Sequence, residues 1–172
     1  MNSLHIMFSE TNAQVFVDRV KAALYPTLSG ATETSTSFDL PQLMVIVGAG
    51  NNGKTFLMDQ IHQQFASRVC RMPASFLTST DTTTEYNICS YNIAWIEHDD
   101  TNKLQLDIVK HRLAQLQPHQ LVVLLCNKMP FANVQDSGMN KRCLIFECVN
   151  DSSNASSLRE SSLSPMFQAL KV

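Results

Sequence analysis

No apolar run in the chain approaches the ~20 residues a membrane-crossing helix needs, so no transmembrane segment and no membrane partner are expected. The first residues, MNSLHIMFSE, lack a basic start followed by a long apolar core and do not read as a signal peptide, which points to an intracellular protein. There is no basic excess either: 13 Lys and Arg stand against 15 Asp and Glu, a formal net charge of −2. A chain whose main task is gripping nucleic acid usually presents a basic face, so bulk electrostatics give no support for tight, autonomous DNA or RNA binding. No cysteine pair has C-x-x-C spacing, and the count of five is odd. Reduced, buried thiols are expected at Cys70, Cys89, Cys126, Cys143 and Cys148, with no metal pattern shared with the scattered histidines. No internal repeat is present.

What remains fits one ordinary domain: 172 residues, 44% of them apolar, enough for a real core. Residues 12–27 place Ala13, Phe16, Val17, Val20, Ala23 and Leu24 at helical spacing, and Pro26 ends that helix. The polar stretch LSGATETSTSFD reads as a linker, so residues 1–42 form a helix and tether ahead of a core over 43–149. In that core Leu43–Val47 reads as a strand, Lys54 to about Arg68 as a helix, and Met72–Leu77 as a second strand. Tyr91–Ile96 gives a third strand, LQLDIVKHRLAQL a helix closed by Pro118, and RCLIFECV a last strand. LVVLLC, Leu121–Cys126, is a continuous apolar run, as expected of a strand buried on both faces. The serine-rich residues 150–172 read as a mobile tail. Strands alternating with helices imply an α/β fold with a parallel sheet, whose ligand belongs at the carboxyl ends of the strands.

The chemistry concentrates in LMVIVGAGNNGKTFLMDQI. Gly48, Gly53, Lys54 and Thr55 satisfy G-x-x-x-x-G-K-[ST], between a strand and a helix. Such a loop, here Gly48, Ala49, Gly50, Asn51, Asn52 and Gly53, curls so that its N–H groups face phosphate oxygens at a helix N-terminus. Lys54 would reach the β and γ phosphates of ATP, and the Thr55 hydroxyl would ligate Mg²⁺. A P-loop also needs an acid at a neighbouring strand tip. Glu97, directly after Ile93–Ile96, is expected there, beside the loop, holding the metal through water; Asp99 and Asp100 read as the start of a solvated segment. Asn127, at the end of LVVLLC, carries both donor and acceptor and can address the γ phosphate or an attacking water.

The run that follows, NKMPFANVQDSGMNKRCLIFE, resembles the viral superfamily 3 helicases, most of all the poxvirus-type primase–helicases of large DNA viruses. In that family an apolar strand ends in Asn, followed by Pro, an acid, Gly, an Arg pair and another strand. Here these positions read Asn127, Pro130, Asp136, Gly138, Lys141 and Arg142, while Asn52 precedes the Gly-Lys pair and EHDDTNKLQLDIVK carries an acidic motif with Lys110 behind it. The resemblance spans roughly residues 43–148. It implies an AAA+-like P-loop NTPase with a three-layer αβα core, ATP and Mg²⁺ as cofactors, and ATP hydrolysis in viral DNA replication beside other viral replication proteins. It makes Glu97 the Walker B acid and Asn127 the sensor. Arg142, or else Lys141, becomes a finger reaching a neighbouring subunit, hence a homo-oligomer, typically a hexameric ring, in the host cytoplasm or nucleus. The chain departs from the pattern between Lys110 and Leu121, where a longer glycine-bearing hairpin would contact DNA. HRLAQLQPHQ offers only His111, Arg112 and His119, so contacts to single-stranded nucleic acid would be weak. A shortened relative that binds nucleotide as an accessory subunit is the alternative, and a small nucleotide kinase a third.

Overall fold

The computed structural model describes residues 4, 7–26, 41–81, 88, 90–99, 104–131, 139, 141–148 and 163–171. The linker at 28–39, Cys89, Asp100, Asp136 and Gly138 lie outside them.

Five strands, β1 (Leu43–Val47), β2 (Val69–Arg71), β3 (Ile93–Glu97), β4 (Leu121–Cys126) and β5 (Cys143–Glu147), make one sheet in the order β2-β3-β4-β1-β5. Every pairing is parallel. The helices are α1 (Glu10–Leu24), α2 (Lys54–Gln64), α3 (Ser75–Thr78), α4 (Leu106–Ala114) and α5 (Ser164–Leu170). Side chains alternate across a strand, so β1 sends Met44 and Ile46 into one apolar cluster and Leu43 and Val45 into the other. The first cluster holds α1, α2 and α5; the second holds α3 and α4. The result is the expected three-layer αβα fold.

α1 begins at Ser9, whose hydroxyl accepts from the Asn12 N–H, with Glu10 in the first turn where the helix dipole favours an acid. Its expected apolar face is buried in full, and Phe16 meets Phe8 and Phe146 at centroid separations of 5.6 and 6.0 Å. Truncating a fully buried aromatic of this kind costs ~3–5 kcal/mol, so α1 is integral to the core rather than an appendage. The same holds for α5: Met166 and Leu170, one helical turn apart, are buried in the α1 cluster. The stretch expected to be a mobile tail therefore ends in a docked helix, opened by Pro165 in the first turn.

The expected strand at 72–77 is not there. β2 stops at Arg71 and Ser75–Thr78 form a helical turn. Pro73 has no N–H to extend a ladder and favours a turn instead, while Phe76 and Leu77 still reach the core from α3. α2 also ends earlier than expected, at Phe65 with φ −128°, where the chain turns into β2.

Candidate functional site

Register aligns the strand tips. Val47 pairs with Cys126 and Glu147, and Glu97 with Leu125, so the residues leaving β1, β3 and β4 emerge at one rim of the sheet. β4 lies between β1 and β3. Glu97 is thus not on the strand next to the loop's own, as the sequence suggested; the strand carrying Asn127 intervenes. Glu97 meets the loop through the start of α2 instead, where the Thr55 hydroxyl donates to its Oε1 at 2.5 Å.

The loop has the backbone that a phosphate cradle needs. Asn51 has φ 64° and Gly53 φ 88°, left-handed values that Asn tolerates and Gly adopts freely. Gly48 is glycine for a different reason: a Cβ there would lie 2.3 Å from Asn52 Nδ2 and 2.7 Å from Cys148 Cβ. At Gly50 a Cβ would meet nothing within 4 Å.

Lys54 is folded down into this loop and is only 7% exposed. Its Nζ donates to the carbonyls of Gly48 (2.6 Å) and Ala49 (3.2 Å), to Asn52 Oδ1 (3.0 Å) and to Asn127 Oδ1 (3.5 Å). The loop, α2, β3 and β4 thus bring Lys54, Thr55, Glu97 and Asn127 to one cleft of about 230 Å³. His98 and Phe56 line it too. The Cys148 thiol lies just beneath; burial pushes it up to about 11, against the opposing pull of Lys54, so it stays neutral.

The donor set suits a magnesium nucleotide. The buried Asn52 Nδ2 has no hydrogen-bond partner among the described residues, and an ammonium, a hydroxyl and a carboxylate converge. Phosphate oxygens and a hard cation require these groups.

Other expected contacts fare differently. Asp99 is exposed past the tip of β3, as read. Arg142 precedes β5 and so sits at the opposite rim, where it shares a cleft with Lys110, His111 and Ala114 of α4. It cannot serve its own chain's site across the length of a strand. Arg112 is not available to nucleic acid: it is 2% exposed, donates to the Asp81 carbonyl and lies over the Phe76 ring. The polar face expected in HRLAQLQPHQ keeps His111 exposed but loses Arg112 to the core, because the short α4 must cover the sheet with that side.

Two site residues had escaped the sequence reading. Arg71 ends β2 and pairs with Glu97 Oε2, and its guanidinium rests 4.8 Å from the centroid of Trp95. His98 is buried at the cleft wall, and its backbone N–H donates to the Leu125 carbonyl. Arg71 was hidden because the strand carrying it spans three residues, too few for a periodic pattern. The alternation of side chains along β3 was the signal available for His98.

Cys70, Cys126, Cys143 and Cys148 are buried, and none of the four is in a disulfide. Among the described residues no helix is long and apolar enough to cross a membrane.

No family model and no curated protein matches the chain. Among solved structures it is similar to the apo C-terminal region of NrS-1, with a TM-score of 0.59 at 13% identity over 98% of this chain and 43% of that one. A looser likeness, to C. elegans PCH-2, has a TM-score of 0.47 at 8% identity over 84% of this chain and 44% of that one. The chain spans less than half the length of either. With a glycine loop between β1 and α2, and an acid and an amide at the tips of β3 and β4, the chain has the fold of a P-loop NTPase.

Proposed function

We propose that the chain binds ATP with Mg²⁺ and hydrolyses it, in an oligomer of the superfamily 3 helicase kind acting in viral DNA replication. The convergence of Lys54, Thr55, Glu97 and Asn127 on one glycine loop carries this reading. Gly48–Gly53 would hold the phosphates by backbone N–H groups, Lys54 the β and γ phosphates, and Thr55 with Glu97 the metal. Bound Mg²⁺ supplies charge neutralisation on the phosphates. Glu97 then orders and deprotonates water, and the Asn127 amide orients the γ phosphate or that water. Arg142 lies at the far rim from its own loop, which supports a role at a neighbour's site rather than at its own. That favours a ring in which each subunit completes the next.

The alternative is an accessory subunit that binds nucleotide without turning it over. One observation favours it: both oxygens of Glu97 are already engaged, by Thr55 and by Arg71. ATP turnover separates the two readings. Wild-type chain should hydrolyse ATP, and Glu97→Gln should bind it normally while slowing hydrolysis ~10²–10⁴-fold, the range for losing a general base. Tight binding with no turnover by the wild type supports the accessory reading, and no binding at all removes both.

A further inference from the structure

His98 has no part in the roles assigned so far, although it is one of the residues that line the cleft. It is the first residue past β3, and its backbone N–H carries the β3–β4 ladder one step beyond Glu97, to the Leu125 carbonyl. Glu97 pairs with Leu125 and Val47 with Cys126, so His98 stands level with the last residue of β1 before the glycine loop. β4 lies between them. Strands are ~4.8 Å apart, which puts the His98 backbone about 10 Å from the loop's own strand. The residue is 6% exposed, yet its ring nitrogens hydrogen-bond to no described residue and are not sealed from solvent. A buried imidazole ordinarily has protein partners; this one is left to take its partner from the cleft. The polar groups around it are already engaged with one another, Thr55 with Glu97 and Lys54 with Asn127.

Lys54 marks the direction of the cleft: its Nζ touches both the Gly48 carbonyl and Asn127 Oδ1, so it spans from the loop to the tip of β4. A phosphate chain seated on the loop and on Lys54 would extend the same way, one phosphoryl group at a time. The inner groups belong to the loop, and a side chain two strands away meets the outermost one first. An imidazole carries an N–H in every protonation state, so it can donate to a phosphate oxygen without changing charge. We propose that His98 donates a ring N–H to an outer oxygen of the terminal phosphoryl group, beside the Asn127 amide, and so makes the cleft favour a nucleoside triphosphate over the diphosphate. This rests on the reading of the cleft as a magnesium-nucleotide site. The loop, Lys54 and Thr55 serve both nucleotides, whereas His98 serves only the longer. The device suits either reading of the chain: a hydrolysing subunit sheds its product more readily, and an accessory subunit responds to the triphosphate alone.

The test is calorimetric binding of ADP and of the non-hydrolysable β,γ-imido analogue of ATP to the full chain, with Mg²⁺ at one fixed pH. Wild type is compared with His98→Phe, which keeps a ring without a donor, and His98→Gln, which keeps a donor. ADP should bind all three alike. The analogue should bind His98→Phe about tenfold more weakly than wild type, the weight of one hydrogen bond to a charged acceptor. His98→Gln should fall between the two. The histidine ring proton resonances are recorded in parallel; with five histidines in the chain, that of His98 is assigned by its loss from His98→Gln. It should move with the analogue and stay in place with ADP. An unchanged ratio of analogue to ADP affinity in His98→Phe would overturn the proposal while leaving the nucleotide site standing. Should His98→Phe not fold, a wild-type His98 resonance that moves equally with both ligands, or with neither when both bind, would overturn it as well. Failure of the wild type to bind either nucleotide would remove the nucleotide site and this inference with it.

Discussion

Two buried cations at opposite rims of the sheet show how differently this chain uses a charge. Arg19 of α1 is 4% exposed and Lys54 of α2 is 7% exposed. Arg19 donates from Nε to the Pro41 carbonyl at 2.7 Å and from Nη2 to the Gln120 carbonyl at 3.4 Å, partners 22 and 101 residues away. Gln120 in turn ties the turns before β3 by donating to the Ile88 and Tyr91 carbonyls. Arg19 therefore joins α1 to the entries of β1 and β4, and burial lowers it to about 10. Lys54 draws on its own loop and on Asn127. Both cations bond main-chain carbonyls, but those of Arg19 lie on distant segments that it ties together, whereas those of Lys54 belong to its own loop and are joined by two side-chain amides beside an open cleft. In the proposed site only a charge of the second kind can turn to a ligand.

The sharpest break of that comparison is Lys54→Ala. It should abolish measurable ATP binding, a loss of at least ~10²-fold, since charge-assisted bonds to phosphate are worth ~1.5–3 kcal/mol each. Its denaturation midpoint should stay close to wild type, because water in the open cleft replaces the lost donor. A variant with undiminished ATP affinity would refute the P-loop assignment. Next come two glycines of the same loop. Gly48→Ala should weaken nucleotide binding about tenfold or more and lower stability, because its Cβ would overlap Asn52 and Cys148. Gly50→Ala should bind like wild type, its Cβ meeting nothing. Equal behaviour of the two in the same binding assay would show that the loop does not hold this conformation.

Arg19→Ala should do the reverse of Lys54→Ala. Denaturant melts should show a loss of ~1–3 kcal/mol for the buried carbonyls left without their donor, and the folded fraction should bind ATP normally. A stability change within error would mean that the two cations are equivalent after all. The smallest expected effect lies beside Arg19. Burial, and secondarily Arg19, lower the His119 pKa from 6.5. The unfolded chain then takes up a proton at higher pH than the folded one, so this contribution is complete above pH 6.5 and is lost as pH falls through the folded value. Melts at pH 7.5 and 5.5 should show a steeper acid loss for wild type than for His119→Gln.

The comparison also explains what could be read in advance. Gly48–Thr55 is local chemistry: spacing within eight residues specifies the loop, so its strand and helix neighbours were legible, as were Glu97 and Asn127 at strand tips. Arg19 was not. It sits on a helix face whose apolar residues were all assigned, and its acceptors depend on where β1 and β4 begin. Arg112 was read as a polar contact for the same reason, since a charged residue on a short helix is ordinarily solvated. Arg71 was lost with the misplaced β2, where MPASFL looked more strand-like than VCR. Met166 and Leu170 carried the spacing of a helix, but seven residues give too little pattern to predict one without the α1 surface that receives them.

Sequence by itself determined the alternation of strands and helices, the parallel sheet, the glycine loop with its lysine and threonine, and the acid and amide at two strand tips. These follow from periodicities and turns that act over a few residues. Tertiary structure decided the order β2-β3-β4-β1-β5, and with it the placing of Asn127 between the loop and Glu97, the far-rim position of Arg142 and the hold of Arg71 on Glu97. Those arrangements depend on which strand edges pair and which helix faces cover them. That choice is made by the burial of the whole core, and no local segment encodes it.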